Sequence, residues 1–198
     1  LLTSLGAWQV QRLHWKEDLI AAITERMSAS PVPLQENIDD PASLEFHRVT
    51  LVGRYLPEHV FLIKPRTLDG KNGYHMVMPL RRASGGLVFV NRGWVSDDTI
   101  SKVSTPDGVV KVEGIIQAPH KAYFTPNNNP DKKDWYWPDI KAMAAATGLP
   151  DVLPVLVTVA ASPEGQLPIG GQIRLDIPND HKQYAIFWAN STRVSRAT

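Results

Sequence analysis

From Glu45 onward the chain reads as short extended runs separated by turn clusters, and this punctuation restricts the fold more than any other feature. Val49, Leu51, Gly53 and Tyr55 alternate with Arg48, Thr50, Val52 and Arg54, the period of a half-buried strand. After the Pro57-Glu58 turn, His59 to Lys64 is extended again. Leu68-Asp69-Gly70-Lys71-Asn72-Gly73 is a six-residue turn cluster, and Tyr74 to Leu80 follows as a strand. Ser84-Gly85-Gly86 is a tight turn, which makes Tyr74–Leu80 and Leu87–Val95 a hairpin. Val109 to Ile116, Val152 to Ala160 and Gln172 to Ile177 complete the extended runs. The alternating helices and strands of a parallel-sheet enzyme are missing. The expectation is an α+β fold on an antiparallel sheet or partly closed β-barrel, formed by residues 1–198 as a single domain.

Two helices accompany the strands. Leu5 to about Met27 is amphipathic: Trp8, Trp15, Leu19, Ile23 and Met27 recur at seven-and-four spacing, and Lys16, Glu17, Asp18, Glu25 and Arg26 take the other face. Ser28-Ala29-Ser30-Pro31-Val32-Pro33 stops it. A short helix is expected near residues 138–147, with Pro138 in its first turn and Gly148 just past its end.

Composition narrows the function classes. With 21 basic against 20 acidic residues the net charge is +1, so nothing points to nucleic acid. The absence of cysteine excludes thiol nucleophiles, disulfides and thiolate metal sites. The most apolar run, Val152 to Ala161, is interrupted by Pro154 and falls short of the roughly 20 residues a membrane-spanning helix needs. No phosphate-binding glycine loop or nucleophile elbow is present, and the adjacent pairs Asp39-Asp40 and Asp97-Asp98 read as solvated turns. The chain is not expected to be an enzyme.

Three words carry residual chemistry. Met76 and Met78 place two thioethers on one strand face, either as core filling or as a soft copper(I) site. In Asn91-Arg92-Gly93-Trp94, Arg92 interrupts an apolar strand. Such an arginine is either held by a carboxylate or carbonyls at the strand end, or clamps an anionic ligand. Trp135-Tyr136-Trp137 is either a core plug or a docking patch.

Several words, in this order, resemble the surfeit-locus-one family of cytochrome c oxidase assembly factors. They are Leu5-Gly6-Ala7-Trp8-Gln9 with Arg12, Trp15 and Lys16; Phe46-His47-Arg48-Val49 with Gly53-Arg54-Tyr55; and Gly73-Tyr74-His75 with Pro79-Leu80. Val90-Asn91-Arg92-Gly93-Trp94-Val95 follows, then Asn129-Pro130 with Trp135-Tyr136-Trp137 and Asp139, and last Asn179, His181, Tyr184, Ala185 and Trp188. The resemblance implies an assembly factor that binds haem a and aids its insertion into the oxidase catalytic subunit, with the haem a synthesis machinery as a second partner. It also implies two flanking transmembrane helices in the inner membrane and a domain facing the periplasm, or the intermembrane space if the source is mitochondrial. The family histidine at the second membrane helix, the expected axial ligand to haem iron, maps onto His181. Tyr184 and Trp188 lie one and two turns on and either stack against the porphyrin or anchor the helix at the membrane interface, with Arg92 as a candidate propionate partner.

Two departures from the family pattern complete the expectation. No membrane helix precedes Leu5, with Leu1-Leu2-Thr3 as a stub, and the sequence after Trp188 turns polar. The simplest reading is a soluble fragment with a non-native tail, so haem a is expected with the intact protein and not with this fragment. A haem-independent scaffold for an oxidase subunit and copper delivery through Met76 and Met78 are the alternatives.

Overall fold

The computed structural model describes residues 2–173, and within the first helix it leaves the side chains of residues 2–10 and Leu13 undescribed. The strand text becomes one seven-stranded sheet in the order β1-β2-β6-β7-β5-β4-β3. The strands are β1 (Val32–Pro33), β2 (Arg48–Tyr55), β3 (Phe61–Leu68), β4 (Lys71–Arg82), β5 (Leu87–Ser96), β6 (Val110–Gln117) and β7 (Val152–Val159). A further pairing of β2 with β4, at Gly53–Arg82, Arg54–Arg81 and Tyr55–Leu80, closes β2, β6, β7, β5 and β4 into a five-stranded barrel. The α+β reading with a barrel therefore holds.

Alternation sorts the side chains between two cores. Val49, Leu51 and Tyr55 of β2 point into the barrel, where Met78, Leu80, Val88, Val90, Val112, Val155 and Val157 meet them. The outer face of the same wall carries Phe61, Ile63, Val77, Phe89 and Leu156, covered by Trp135 and by Met143 of α2 (Ile140–Thr147). β5 is buried along its whole length because it faces the barrel on one side and this second layer on the other.

The order of strands departs from expectation in one respect. β5 and β7 run parallel, with Phe89 opposite Leu156 and Val90 opposite Val157, so the sheet is mixed. The long passage from β6 through α2 brings β7 back antiparallel to β6, and so parallel to β5. The turn between β3 and β4 is also tighter than the six-residue cluster: only Asp69 and Gly70 turn, both with positive φ, and Lys71-Asn72 join β4. β1, inside the segment read as a helix stop, pairs parallel to β2.

The first helix, α1, spans Leu2–Ser28, slightly longer than its periodic stretch. Leu19 and Ile23 are its buried contacts, and Ile20 is exposed. α2 begins at Ile140, two residues past the expected start: Pro138 lies before the helix and Asp139 caps it, its Oδ1 accepting the Ala142 N–H at 3.1 Å. Gly148 ends it in the left-handed conformation (φ 66°). Among the described residues no helix is long and apolar enough to cross a membrane.

Candidate functional site

The Asn91-Arg92-Gly93-Trp94 word is a β-bulge. Met76 pairs with Gly93 and Val77 with Asn91, so Arg92 is the extra residue on β5. The four side chains serve four different places. Arg92 turns toward the barrel, 8% exposed, where its guanidinium donates to the Ser104 carbonyl at 2.9 Å and Thr105 Oγ1 at 3.0 Å. It also lies 5.1 Å from the Tyr55 ring centroid. Burial pushes Arg92 below the ordinary guanidinium range and Tyr55 above the ordinary phenol range, each partly offset by the other.

Gly93 (φ 133°) meets the returning chain, where a Cβ would lie 2.1 Å from the Ile169 carbonyl oxygen. Beside it Trp94 and Ile169 exchange two backbone hydrogen bonds of 2.9 Å. The Trp94 indole N–H donates to the Arg66 carbonyl at 2.9 Å and ties β5 to the edge strand β3. Asn91 faces the outer layer and accepts the Gly93 N–H at 3.1 Å through Oδ1. That bond fixes the amide, so Nδ2 is the atom 3.4 Å from His75 Nδ1.

Asn91 and His75 floor a cleft of about 490 Å³ on the outer face of the sheet. Ile63, Val77 and Leu156 supply its apolar base. Gln117 adds an amide, its Oε1 accepting from the buried Thr158 hydroxyl. Lys64 and Arg66 stand on β3 at one side, Lys64 paired with Asp134 and Arg66 donating to the Tyr136 carbonyl at 3.2 Å. Tyr136 and Trp137 form one aromatic stretch, locked by Asn128, which accepts both their backbone N–H groups and donates to the Trp137 carbonyl. Tyr123 and Phe124 form the other; they stack edge to face with centroids 5.0 Å apart and are 92% and 94% exposed. Among the described residues Glu45 is the one carboxylate in the lining. Burial, opposed by Ala118, His120 and Arg26, pushes it above the ordinary carboxylate range.

His181, Tyr184 and Trp188 lie outside the described residues, as does most of the strand expected over Gln172–Ile177; Gln172 itself lines the cleft. Arg92 is not in the cleft lining, and its contacts are those of an arginine held by a carbonyl. Met76 and Met78 are both buried, Met78 within the barrel core. Trp135 is a core plug, packed edge to face on Phe61 at 5.0 Å, whereas its neighbours Tyr136 and Trp137 line the cleft. Asp97 and Asp98 sit in the turn after β5, where Asp97 accepts from Tyr74 at 2.7 Å. Among the described residues no group of three histidines or carboxylates is arranged to hold a metal ion. Lys64, Arg66, Gln117, His120, Tyr123 and Phe124 escaped the reading of the sequence because they are scattered over separate strands and a loop. The one available signal was Tyr123-Phe124, a bulky aromatic pair inside a turn-rich segment.

Comparison with known proteins covers nearly the whole chain. The model of the SURF1 family matches residues 1–190. A SURF1-like protein of Monosiga brevicollis is 32% identical over 98% of this chain and 80% of its own length. A SURF1-like protein of Drosophila melanogaster is 34% identical, covering 93% of this chain and 68% of the relative. The Surfeit locus protein 1 of Mus musculus is 32% identical over 93% of this chain and 66% of its own length.

Proposed function

The chain belongs to the SURF1 family, and on that premise we propose that it handles haem a during the assembly of cytochrome c oxidase. Oxidase assembly is the general function that membership implies. The finer reading is that the intact protein binds haem a and passes it to the oxidase catalytic subunit, receiving it from the haem a synthesis machinery. It works at the inner membrane, anchored by flanking helices, with this domain on the periplasmic or intermembrane-space side.

The observation that carries the haem reading is the closing word, in which His181 stands just before Tyr184, Ala185 and Trp188. A neutral imidazole is a standard axial ligand, and neighbouring aromatics suit a porphyrin face. Among the described residues the cleft fits the organic part of such a group better than its iron. His75 on its floor is engaged at Nδ1 by the Asn91 amide. The axial role is assigned to His181 in this reading. Arg92 is left out of the haem site, since a propionate would have to displace its contacts with Ser104 and Thr105.

The test is the optical spectrum of the full-length, membrane-extracted protein. Haem a bands are expected, and His181→Ala is expected to abolish them. Protein that is free of haem, or a spectrum unchanged by that substitution, overturns the reading in favour of a haem-independent scaffold.

A further inference from the structure

We propose that the cleft floored by Asn91 and His75 is a binding site for a flat, largely apolar ring system that carries an acidic group. The inference rests on the haem-handling reading for the identity of the cargo, but the site follows from its own lining. Its volume of about 490 Å³ lies in the range of small-molecule sites, roughly 300–1,000 Å³.

The lining has three parts with different chemistry. Aromatic rings come from two separate stretches, Tyr123-Phe124 and Tyr136-Trp137, and rings accept flat conjugated partners by stacking. Among the described residues Tyr123 and Phe124 stack on each other and are otherwise 92% and 94% exposed. A loop with its own internal hydrogen bonds, Thr125 N–H to the Ala122 carbonyl and Lys121 to Asn127, nevertheless holds them out. An apolar surface that is ordered and presented in this way marks a contact site.

Charge gives the second part. Lys64 and Arg66 are cations in the lining, set against Glu45 as the carboxylate among the described lining residues. Their protein partners, Asp134 and the carbonyls of Pro65 and Tyr136, fix where the two heads stand. A carboxylate would join these groups at the edge of the cleft, and guanidinium is suited to it by geometry as well as charge. The third part is the polar floor of Asn91, Gln117 and His75, which offers hydrogen bonds to a small number of heteroatoms on an otherwise apolar ring. None of these groups is a nucleophile placed beside a base, so the site binds and releases.

Metal-free protoporphyrin IX is the probe, because it keeps the flat ring and both acids and removes iron ligation. Titrated into the chain and followed by quenching of tryptophan fluorescence, it is expected to bind saturably. Binding should weaken at least about tenfold in K64Q/R66Q and likewise in Y123S/F124S, both surface changes that leave the two cores intact. Its dimethyl ester should bind at least about tenfold more weakly than the free acid, and added salt should narrow that gap. Arg81→Gln, an exposed cation outside the cleft lining, should leave the affinity unchanged. Equal binding of acid and ester, or affinity unaltered by both cleft variants, overturns the proposal, as does the absence of saturable binding. The two readings fail separately. His181→Ala should leave binding of the iron-free probe intact, so a haem-free full-length protein that still binds it through the cleft refutes only the iron-ligand reading.

Discussion

At the scale of the residue, the Asn-Arg-Gly-Trp word shows why an odd sequence is kept together. One bulge sends four consecutive side chains to the cleft floor, the barrel, the returning loop and the edge strand. Gly93 is the position with the least freedom, since it combines φ 133° with an Ile169 carbonyl 2.1 Å from any added Cβ. Gly93→Ala therefore adds backbone strain to a broken pair of Trp94–Ile169 hydrogen bonds, and should lower the unfolding free energy by about 3 kcal/mol, measured by urea denaturation. Arg92 supplies a sharper test of role. Arg92→Gln should cost about 1–3 kcal/mol, because it loses two hydrogen bonds and the contact with Tyr55 inside a mostly buried site. The same variant should bind protoporphyrin IX as the parent does, since Arg92 is not in the cleft lining. A fall in porphyrin affinity without a fall in stability would return Arg92 to the list of ligand contacts.

At the scale of the element, Glu45 joins three pieces that the sequence presents as separate. Its carbonyl accepts from Arg26 of α1 at 3.4 Å, its side chain is held by the Ala118 backbone after β6, and it follows the short helical turn Pro41–Leu44. Desolvation outweighs these contacts and raises its pKa above 4.5. A raised carboxyl pKa means that the fold prefers the protonated form. The stability this contributes is complete below the unfolded value and is lost as pH rises through the folded one. Glu45→Gln keeps the neutral form at every pH, so the variant should match the parent near pH 4 and exceed it increasingly toward pH 7. Chemical denaturation at several pH values measures this, and repeating it in a His120→Gln background removes the imidazole that faces the same carboxyl. The elements themselves were legible to different degrees. Period-two alternation located β2, and the Ser84-Gly85-Gly86 turn located the β4–β5 hairpin, because a half-buried face and a glycine turn both leave their mark directly on the residue order. The parallel pairing of β5 with β7 left no such mark: a strand buried on both faces reads the same in either direction. β1 is two residues long and too short to show a period. The cleft was invisible as a unit because its residues share a face only after β3, β4, β5 and β7 are in register. His75 and Asn91 stood out only as parts of words.

At the scale of the whole molecule, the two cores divide the work. The closed barrel, with Leu80, Val88 and Val90 fully buried, contributes stability, and its core residues are not among those that line the cleft. The outer layer is built on the same strands but is roofed by loops, and it holds the cleft. Stability and binding should therefore be separable. Leu80→Ala removes a side chain with 0% exposure from the barrel and should cost about 2–5 kcal/mol. For a chain of this size, each kcal/mol lowers the melting temperature by about 2–4 °C. Leu80 belongs to the barrel core, and the cleft lies on the other face of the same sheet. A ligand that binds only the folded state stabilises it by about 2.7 kcal/mol at one hundred times its dissociation constant. Protoporphyrin IX at that ratio should then raise the melting temperature by roughly 5–11 °C in the parent and by a similar increment in Leu80→Ala, although the variant starts lower. The K64Q/R66Q protein should show the opposite pattern, with a near-parental starting temperature and a much smaller increment at the same porphyrin concentration. Thermal denaturation of the three proteins, with and without the porphyrin, measures both terms at once. An increment that shrinks in Leu80→Ala as much as in the cleft variant would mean that the barrel and the outer layer are not independent, and that cargo binding draws on the packing of the whole fold.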